Sequence, residues 1–471
     1  MWDTIIGDLN ISLPMDTITV SDWKTKRNAN YYQLVGKTFH NIKAGSNYNA
    51  AISNEGILHT WGDNTDGRLG LGYTSDNVSV PTPVPDFIDY RVVAYDTSWY
   101  SGAAILENGD LYTWGYNYLG NGGSLQASPW PVRINDAGDT NIRFVDVKVS
   151  EYFSLGLDED GVVYFWGKTD SYGMGNGHAN ETVLTPRKIV NISEKVIKMI
   201  SVQIETIIVV DEIGDVYAWG YNYDGGAGVG HTIDVQIPTK VVIPNNEKVI
   251  SVVSSNHSSY VLTENGNVYA WGLNSSGQLG VGDTTRRLSP TLVSDLVGKE
   301  IVGIYAMENH AAALSSTGEA YFWGRNGAMQ LGLGDAPTTN HLLPTKSTIL
   351  PYVTEIALGR THGFISDIHY NIYGFGSNSY GEIGLGNTTP TVAPYYRKIT
   401  NVEFELLLVD KFLSDLKYDY LEPPLEFYIF EGWYDDDQFA IRKNLGIRMP
   451  NYDVDVYLRY NWYYQFDMFE Y

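Results

Sequence analysis

The residues that could do chemistry in this sequence are few and scattered. The glycine run GGAGVG at 225–230 is of the kind that cradles dinucleotide phosphates, but no strand-to-helix context follows it, so a structural turn is favoured. Asp63 and Asp66, and the run DEDG at 158–161, offer oxygen ligands of the kind that calcium prefers. Neither has the spacing of a complete oxygen cage, and solvated turns are the favoured interpretation.

Three histidines recur in equivalent turns: His257, His310 and His362. They could form a ring of ligands or bases, or each imidazole could bond the backbone of its own turn; the second interpretation is favoured. The sequence contains no Gly-x-Ser-x-Gly, His-Glu-x-x-His or Walker motif, and no cysteine for a thiolate site. We therefore predict a protein that is not an enzyme, with no catalytic residue, no metal and no cofactor.

Composition narrows the classes of partner. The 471 residues carry 31 basic and 55 acidic side chains, a formal charge of −24. Such an acidic protein lacks the basic footprint of a nucleic-acid binder and is disfavoured at anionic membranes. No apolar run is long enough to insert into a membrane, and no basic residue precedes Lys24, so no secretory signal peptide is visible. We expect a virion or cytoplasmic location.

A repeat organises most of the chain. The dipeptide Trp-Gly recurs six times, with Phe-Gly as the seventh copy, at spacings of 52 or 53 residues. The first residues of these pairs are Trp61, Trp114, Trp166, Trp219, Trp271, Trp323 and Phe375. A glycine lies five residues before each Trp, an Asn follows most pairs by two residues, and then comes a glycine-rich segment such as GQLGVG. A proline that ends this loop and begins another extended piece closes each unit.

Each unit has the signature of short strands. The segment VISVVSSNHSSYVLTENGNVYAWG alternates and is rich in Val, Tyr and Trp, and its ENG is typical of a hairpin turn. About four strands in each of seven units indicate an all-β fold, a seven-bladed β-propeller, because radial closure leaves only short strand edges exposed. We predict an N-terminal arm at 1–36, the propeller at 37–400 and an aromatic-rich C-terminal extension at 401–471.

The motifs resemble the repeat of the regulator-of-chromosome-condensation family. The segment VLTENGNVYAWGLNSSGQLGVGDTTRRLSPTLV at 261–293 matches that repeat almost throughout, and copies two to four depart from it in the glycine-rich part. The resemblance implies the propeller fold. It leaves function open, because related propellers serve as exchange factors for a small GTPase, as enzyme inhibitors, as ultraviolet receptors and as general binding modules. Of the Trp residues only Trp99 lies in the turns that hold the receptor's Trp cluster, so nothing supports a chromophore.

Candidate partner-binding residues follow the Trp-Gly pairs. The position immediately after the pair varies between otherwise equivalent copies, which indicates a solvent-facing loop end. Aromatic side chains there suit protein interfaces. We single out Tyr116, Tyr118, Tyr221 and Tyr223 as a partner surface.

The C-terminal segment supplies a second candidate interface. Residues 401–471 contain 19 aromatic, 15 acidic and 6 basic side chains, too short a segment to bury so much aromatic area alone. They either fold as a separate β appendage or bury against another chain, giving an oligomer or an assembly. Trp433, Trp462 and Tyr463 are the expected anchors.

These features favour a non-catalytic, structural or protein-binding propeller. The main hypothesis is a component of a large assembly such as a tailed-phage virion, a tail or surface protein that contacts a host surface molecule or a neighbouring subunit. The first alternative is an intracellular regulator, either a small-GTPase exchange factor or an enzyme inhibitor. The second is a carbohydrate-binding adhesin that stacks exposed Tyr on sugar rings.

Overall fold

The computed structural model describes residues 39–134, 142–334, 339–348, 352–389 and 391–398, together with 431–433 and 458–460. Within residues 39–398 the chain forms seven antiparallel sheets of four strands each, and the four strands of every sheet are consecutive in the sequence. The sheets are the blades of a seven-bladed all-β propeller, as the repeat predicts.

Each blade uses its strands in the same radial order. The innermost strands are β1 (Phe39–Ala44), β5 (Val92–Thr97), β9 (Phe144–Val149), β13 (Ile197–Gln203), β17 (Val249–Ser255), β21 (Ile301–Met307) and β25 (Val353–Leu358). The second strands are β2 (Tyr48–Ser53), β6 (Ser101–Leu106), β10 (Phe153–Asp158), β14 (Thr206–Asp211), β18 (Ser258–Thr263), β22 (His310–Ser315) and β26 (His362–Asp367).

The third strands carry the Trp-Gly or Phe-Gly pair. They are β3 (Leu58–Asn64), β7 (Leu111–Asn117), β11 (Val163–Thr169), β15 (Val216–Gly220), β19 (Val268–Gly272), β23 (Ala320–Gly324) and β27 (Ile372–Ser377). The outer strands are β4 (Ser75–Pro83), β8 (Gln126–Arg133), β12 (Glu181–Lys188), β16 (Val235–Val241), β20 (Arg287–Leu292), β24 (His341–Lys346) and β28 (Val392–Lys398). Short 3₁₀ helices lie at Pro85–Phe87, Val190–Ile192, Pro244–Asn246 and Ser294–Leu296.

The glycine of each Trp-Gly pair is required by a close backbone approach. Gly272 has φ +97°, and a Cβ built there would lie 2.2 Å from the carbonyl oxygen of His257, in the turn between the first two strands. The same carbonyl accepts a hydrogen bond from the next residue, Leu273, at 2.9 Å. Equivalent clashes occur at Gly62, Gly115, Gly167, Gly220, Gly324 and Gly376. Only glycine combines this φ with this proximity.

The repeated Trp joins each blade to the one before it. The six Trp side chains are at most 1% exposed. Trp323 Nε1 donates to the Gln278 carbonyl in the preceding glycine-rich loop at 2.7 Å, and Trp271 donates likewise to Gly226 at 2.8 Å. Trp166 is the exception, because its Nε1 has no partner in the described part of the chain. The preceding loop, NYLGNGG, is shorter between its Asn and its Leu-Gly than the loop NSSGQLGVG, so the accepting residue is missing.

The repeated Asn organises the glycine-rich loop. Asn274 is fully buried; its Oδ1 accepts from the Leu279 amide at 2.9 Å and its Nδ2 donates to the Asp283 carbonyl at 2.9 Å. Such local side-chain bonds hold a loop that has no ladder of its own. The loop then contacts the outer strand of the next blade, where Gly282 donates to the Leu342 carbonyl at 3.0 Å.

The prolines differ in position from the sequence prediction. Pro238 and Pro290 lie inside β16 and β20 rather than between loop and strand. A proline is tolerated there because each outer strand is an edge strand of its own sheet, where a missing N–H breaks no ladder bond.

The ring closes by packing of blade seven on blade one, not by a strand shared between them. β1 packs against β25. The Trp61 Nε1 donates to the Glu382 carbonyl at 2.8 Å, as four of the other five repeat indoles do to their preceding loops. The amide of Gly386 donates to the Ser79 carbonyl at 3.1 Å, which repeats the loop-to-outer-strand bond. The first and last blades therefore meet through the contacts that join the others.

The remaining residues belong to a separate unit, Met1–Lys37 with Thr400–Tyr471. Its described part is an antiparallel pair of short strands, β29 (Glu431–Trp433) and β30 (Leu458–Tyr460). Across the described residues, no helix has the length and apolar character needed to traverse a bilayer.

The indole hydrogen bond gives a measurable stability difference. We expect Trp323→Phe to lower the free energy of unfolding by about 1 kcal/mol more than Trp166→Phe, because only Trp323 donates to a carbonyl of the preceding blade. Both changes remove the same ring area, so the second variant is the matched control. Urea unfolding of both variants checks this, and equal losses would contradict it.

Candidate partner-binding face

One face of the ring, here called the loop face, carries the most variable side chains. It is formed by the turns between first and second strands and by the glycine-rich loops between third and fourth strands. The turns are residues 45–47, 98–100, 150–152, 204–205, 256–257, 308–309 and 359–361. The opposite, hairpin face is formed by the tight turns between second and third strands and by the connections between blades.

The position after each Trp-Gly pair lies on the loop face. Its amide donates to the carbonyl of the adjoining turn in all seven blades, as from Tyr116 to Tyr100 at 2.9 Å. Most of its side chains are exposed or half-buried, as expected. Asp63 is an exception, because it is 5% exposed and pairs with the Arg68 guanidinium at 2.9 Å.

The four candidate tyrosines lie on this face in two groups. Tyr116 is 39% exposed and Tyr118 is half-buried on blade two. Tyr223 is 64% exposed on blade four, where the half-buried Tyr221 packs against the His257 ring at 4.9 Å between centroids. The structure thus places all four on one face but does not bring the two groups together.

Neighbouring turns extend the blade-two group into an aromatic cluster, which we define as Trp99, Tyr100, Tyr116 and Tyr152. The Trp99 and Tyr100 rings lie 6.3 Å apart, and Tyr152 is 43% exposed on the next blade. A bond to Glu151 and burial raise the pKa of Tyr152 to about 12, and Tyr100 and Tyr116 add to the shift. Tyr100 and Tyr152 are not among the candidates predicted from the sequence, although the variable turn segments TSWY and EYFS contain them.

Arg68 holds the Trp99 turn in place. Its Nη1 donates to the Trp99 carbonyl at 3.0 Å, and its guanidinium lies 5.2 Å from the Tyr100 ring centroid. Asp63 and Asp66 pair with the same guanidinium at 2.9 and 2.5 Å. The two aspartates considered as calcium ligands therefore fix an arginine, and through it the aromatic turn.

The other candidate ligands also have structural partners. Asp158 Oδ1 accepts from the Asp160 and Val162 amides at 3.1 and 2.8 Å, which caps a hairpin turn. The glycine run 225–230 is the loop between β15 and β16 of blade four, and it contacts blade five, where Gly226 accepts from Trp271 and Gly230 donates to Leu288. The structural interpretation is confirmed. In the described ranges no three His, Asp or Glu side chains come together as metal ligands.

The recurring histidines do not bond their own turn backbone, so that expectation is wrong. His310 and His362 are fully buried at the starts of β22 and β26. Neither ring nitrogen of His310 has a partner in the described part of the chain, and His362 Nε2 lies 2.6 Å from Asn49 Oδ1. Burial lowers the pKa of both histidines to about 3, so both are neutral core side chains near neutral pH.

The inner strands surround a central cavity of about 460 Å³ to which all seven blades contribute. Its charged side lies on blades seven and one to three. There Lys43 pairs with Asp96 at 3.4 Å, Lys148 pairs with Asp146 at 2.6 Å, and Glu355 Oε1 accepts from the Ile42 amide at 2.6 Å. Burial raises the pKa of Glu355 to about 7. Within the wall the two lysines are therefore paired with aspartates, and Glu355 is held by a backbone amide.

The predicted anchors of the C-terminal extension cannot be placed. Trp433 lies in β29, of which only the backbone pairing is described, and Trp462 and Tyr463 lie outside the described residues. The acidic run 434–438 lies outside them as well.

Seven four-stranded blades closed into a ring define a class of protein, the seven-bladed β-propellers. The family model described as RCC1-like domain matches residues 17–351. The chain therefore belongs to the RCC1-like domain family, in agreement with the resemblance seen in its repeats.

This chain matches different shares of the lengths of its individual relatives. The Ultraviolet-B receptor UVR8 of Arabidopsis thaliana is 27% identical over 352 residues, 74% of this chain and 79% of the receptor. The human E3 ubiquitin-protein ligase HERC2 is 30% identical over 329 residues, 68% of this chain but 7% of the ligase. The crystal structure of Prp20p from Saccharomyces cerevisiae matches with a TM-score of 0.63 at 20% identity, covering 79% of this chain and 90% of that one, which shows a shared fold.

The Arg68 cluster predicts a large coupling energy. We expect Arg68→Met to lower the free energy of unfolding by about 3 kcal/mol, because it leaves the buried Asp63 carboxylate without its cation. Adding Asp63→Asn should recover part of this loss, since a neutral amide costs less to bury. Denaturant unfolding of the two single variants and the double variant checks this, and strictly additive losses would show that the pair is not coupled.

The buried histidines predict a pH dependence. An unfolded histidine takes up a proton below its ordinary pKa of about 6.5, whereas in the folded protein burial lowers the pKa of His310 to about 3. His310 therefore destabilises the fold as pH falls from 6.5, by about 1.4 kcal/mol per pH unit.

The histidine effect can be isolated by difference, because the raised pKa of Glu355 acts in the opposite direction. The stability advantage of the wild type over His310→Gln should shrink between pH 6.5 and 4.5. The variant His40→Gln removes an exposed histidine and is the matched control. Urea unfolding at several pH values measures both, and equal pH trends would contradict a buried neutral His310.

Proposed function

We propose that this chain is a non-catalytic regulatory propeller that binds a partner protein through its loop face. The observation that carries the proposal is the aromatic cluster of Trp99, Tyr100, Tyr116 and Tyr152. Tyr and Trp offer large contact areas with few rotatable bonds and are enriched where binding energy concentrates. The cluster lies on turns held by backbone bonds and by Arg68, so little order has to be gained on binding.

The relatives support a regulatory role over the other hypotheses. UVR8 is by name a receptor, and HERC2 is a ligase in which the matching region is a small part of the chain. Prp20p is described with binding properties toward Gsp1p and histones. These names favour an intracellular regulator, such as an exchange factor or an enzyme inhibitor. The virion and adhesin hypotheses find no support among them and are not taken further.

Site-specific photo-crosslinking tests the choice of face. A photo-reactive amino acid in place of Tyr116 should capture a discrete partner in the source cells, because this side chain lies within the aromatic cluster. The same amino acid in place of Tyr370, 62% exposed on the hairpin face, should not. If the partner is captured only by the amino acid at position 370, the binding surface lies on the hairpin face and the proposal is refuted.

Alanine substitutions measure the contribution of the cluster once the partner is purified. Tyr116→Ala and Tyr152→Ala should each weaken binding by about 2 kcal/mol, whereas Tyr370→Ala should leave it unchanged. Titration calorimetry gives the three affinities. If the partner is a GTPase, release of a fluorescent guanine nucleotide separates an exchange factor from an inhibitor.

A further inference from the structure

The cavity mouth on the loop face combines an aromatic platform with an arginine. Trp99 lines the central cavity, and the Arg360 guanidinium carbon lies 4.7 Å from the centroid of its indole ring. The two side chains come from blades two and seven and meet above blade one, whose turn carries the small Ser46. The Arg360 amide donates to the Gly45 carbonyl at 3.1 Å, which fixes the backbone below the guanidinium.

Arg325 on blade six and Arg360 on the adjacent blade seven lack the carboxylate partners that other arginines have. Both are exposed, and within the described part of the chain neither guanidinium makes a hydrogen bond or ion pair. By contrast Arg68, Arg133 and Arg287 each pair with an aspartate within 3 Å. Two exposed guanidinium groups without a carboxylate partner on adjacent blades are unexpected in a chain of charge −24.

One carboxyl lies within the influence of both arginines. Burial raises the pKa of Glu308, and Arg360 and Arg325 act against that rise. Glu308 is no closer than 4 Å to either guanidinium, and its Oε2 contacts Asn256 Nδ2 at 3.4 Å. In this sector of the loop face two cations therefore act on one half-buried acid.

The geometry points to an acidic, extended segment of a partner protein as the occupant. We infer that carboxylates of this segment pair with Arg325 and Arg360 and that its apolar or aromatic side chains pack on Trp99. Guanidinium groups bind carboxylates through paired N–H donors, and the Trp ring supplies apolar area beside them. The inference rests on the proposed function, since it names the chemistry of the partner that the loop face binds.

Other anions fit this mouth less well. A nucleic acid needs many cations along a track, and this mouth offers two in a strongly acidic chain. A phosphate carries nearly two charges and would approach Glu308, whereas a single carboxylate meets less repulsion. A second copy of this chain is a further possible occupant, which the experiment separates.

Fluorescence anisotropy with defined peptides tests the inference. The probe is a labelled ten-residue peptide of alternating Asp and Leu, and a Lys-for-Asp peptide is its counterpart. The purified full chain should bind the acidic peptide, and Arg325→Ala/Arg360→Ala should weaken that binding at least about tenfold. The control, Arg91→Ala/Arg143→Ala, removes two exposed arginines of the hairpin face and should leave binding unchanged.

The Ala variants remove side-chain packing as well as charge, so charge-reversal variants test the charge itself. Arg325→Glu/Arg360→Glu should lose the acidic peptide and gain the Lys peptide. The inference is overturned if no acidic peptide binds, if both arginine pairs matter equally, or if a phosphopeptide or oligonucleotide binds as tightly. It is also overturned if sedimentation shows that the wild type is a dimer and the double Ala variant a monomer, because the occupant is then a second copy of this chain.

The two proposals fail in different ways. If Tyr116 still captures a partner while the arginine variants bind acidic peptide normally, the inference about the mouth is wrong and the proposed function stands. If no capture occurs from the loop face, the proposed function itself is wrong.

Discussion

One backbone contact, repeated seven times, sets the geometry of every blade. The carbonyl that ends each first turn accepts a hydrogen bond from the residue after the Trp-Gly pair, and it lies so close to the glycine that a Cβ would be 2.1–2.5 Å away. The contact ties the first turn to the third strand and therefore fixes three of the four strands relative to each other. In blade seven Phe375 replaces the Trp, and Gly376 still makes the contact.

The Trp that precedes this glycine carries the geometry from one blade to the next. Its position on the third strand directs the indole at the glycine-rich loop of the preceding blade, where Gly280 lies against Trp323 and Gly228 against Trp271. Closure of the ring needs no shared strand because Trp61 finds the same acceptor in blade seven. Where the loop is shortened before Trp166, the indole keeps its burial but not its hydrogen bond.

These contacts repeat in the sequence as the Trp-Gly period, because most of them involve backbone groups. The Trp-Gly period gave the blade number, and the variable position after it marked a face of the ring. Prediction failed where a side chain has one specific partner. Asp63 looks like an exposed loop residue until Arg68 is seen beside it, and the pairing of Arg360 with Trp99 joins residues 261 positions apart. His310 likewise lies in a recurring turn motif, yet it is buried and neither ring nitrogen has a hydrogen-bond partner in the described part of the chain.

This division between backbone and side chains explains why function follows the variable positions. The repeat constrains residues whose substitution would disturb a backbone contact or the blade interface, and it leaves the outward side chains of the turns free. On blades two and three those side chains are aromatic, and on blades six and seven they include the two unpaired arginines. The blades are nearly equivalent in structure, but their variable side chains make the face asymmetric in chemistry. Such an asymmetric face can orient a partner, because only one rotation of that partner about the ring axis matches both sectors.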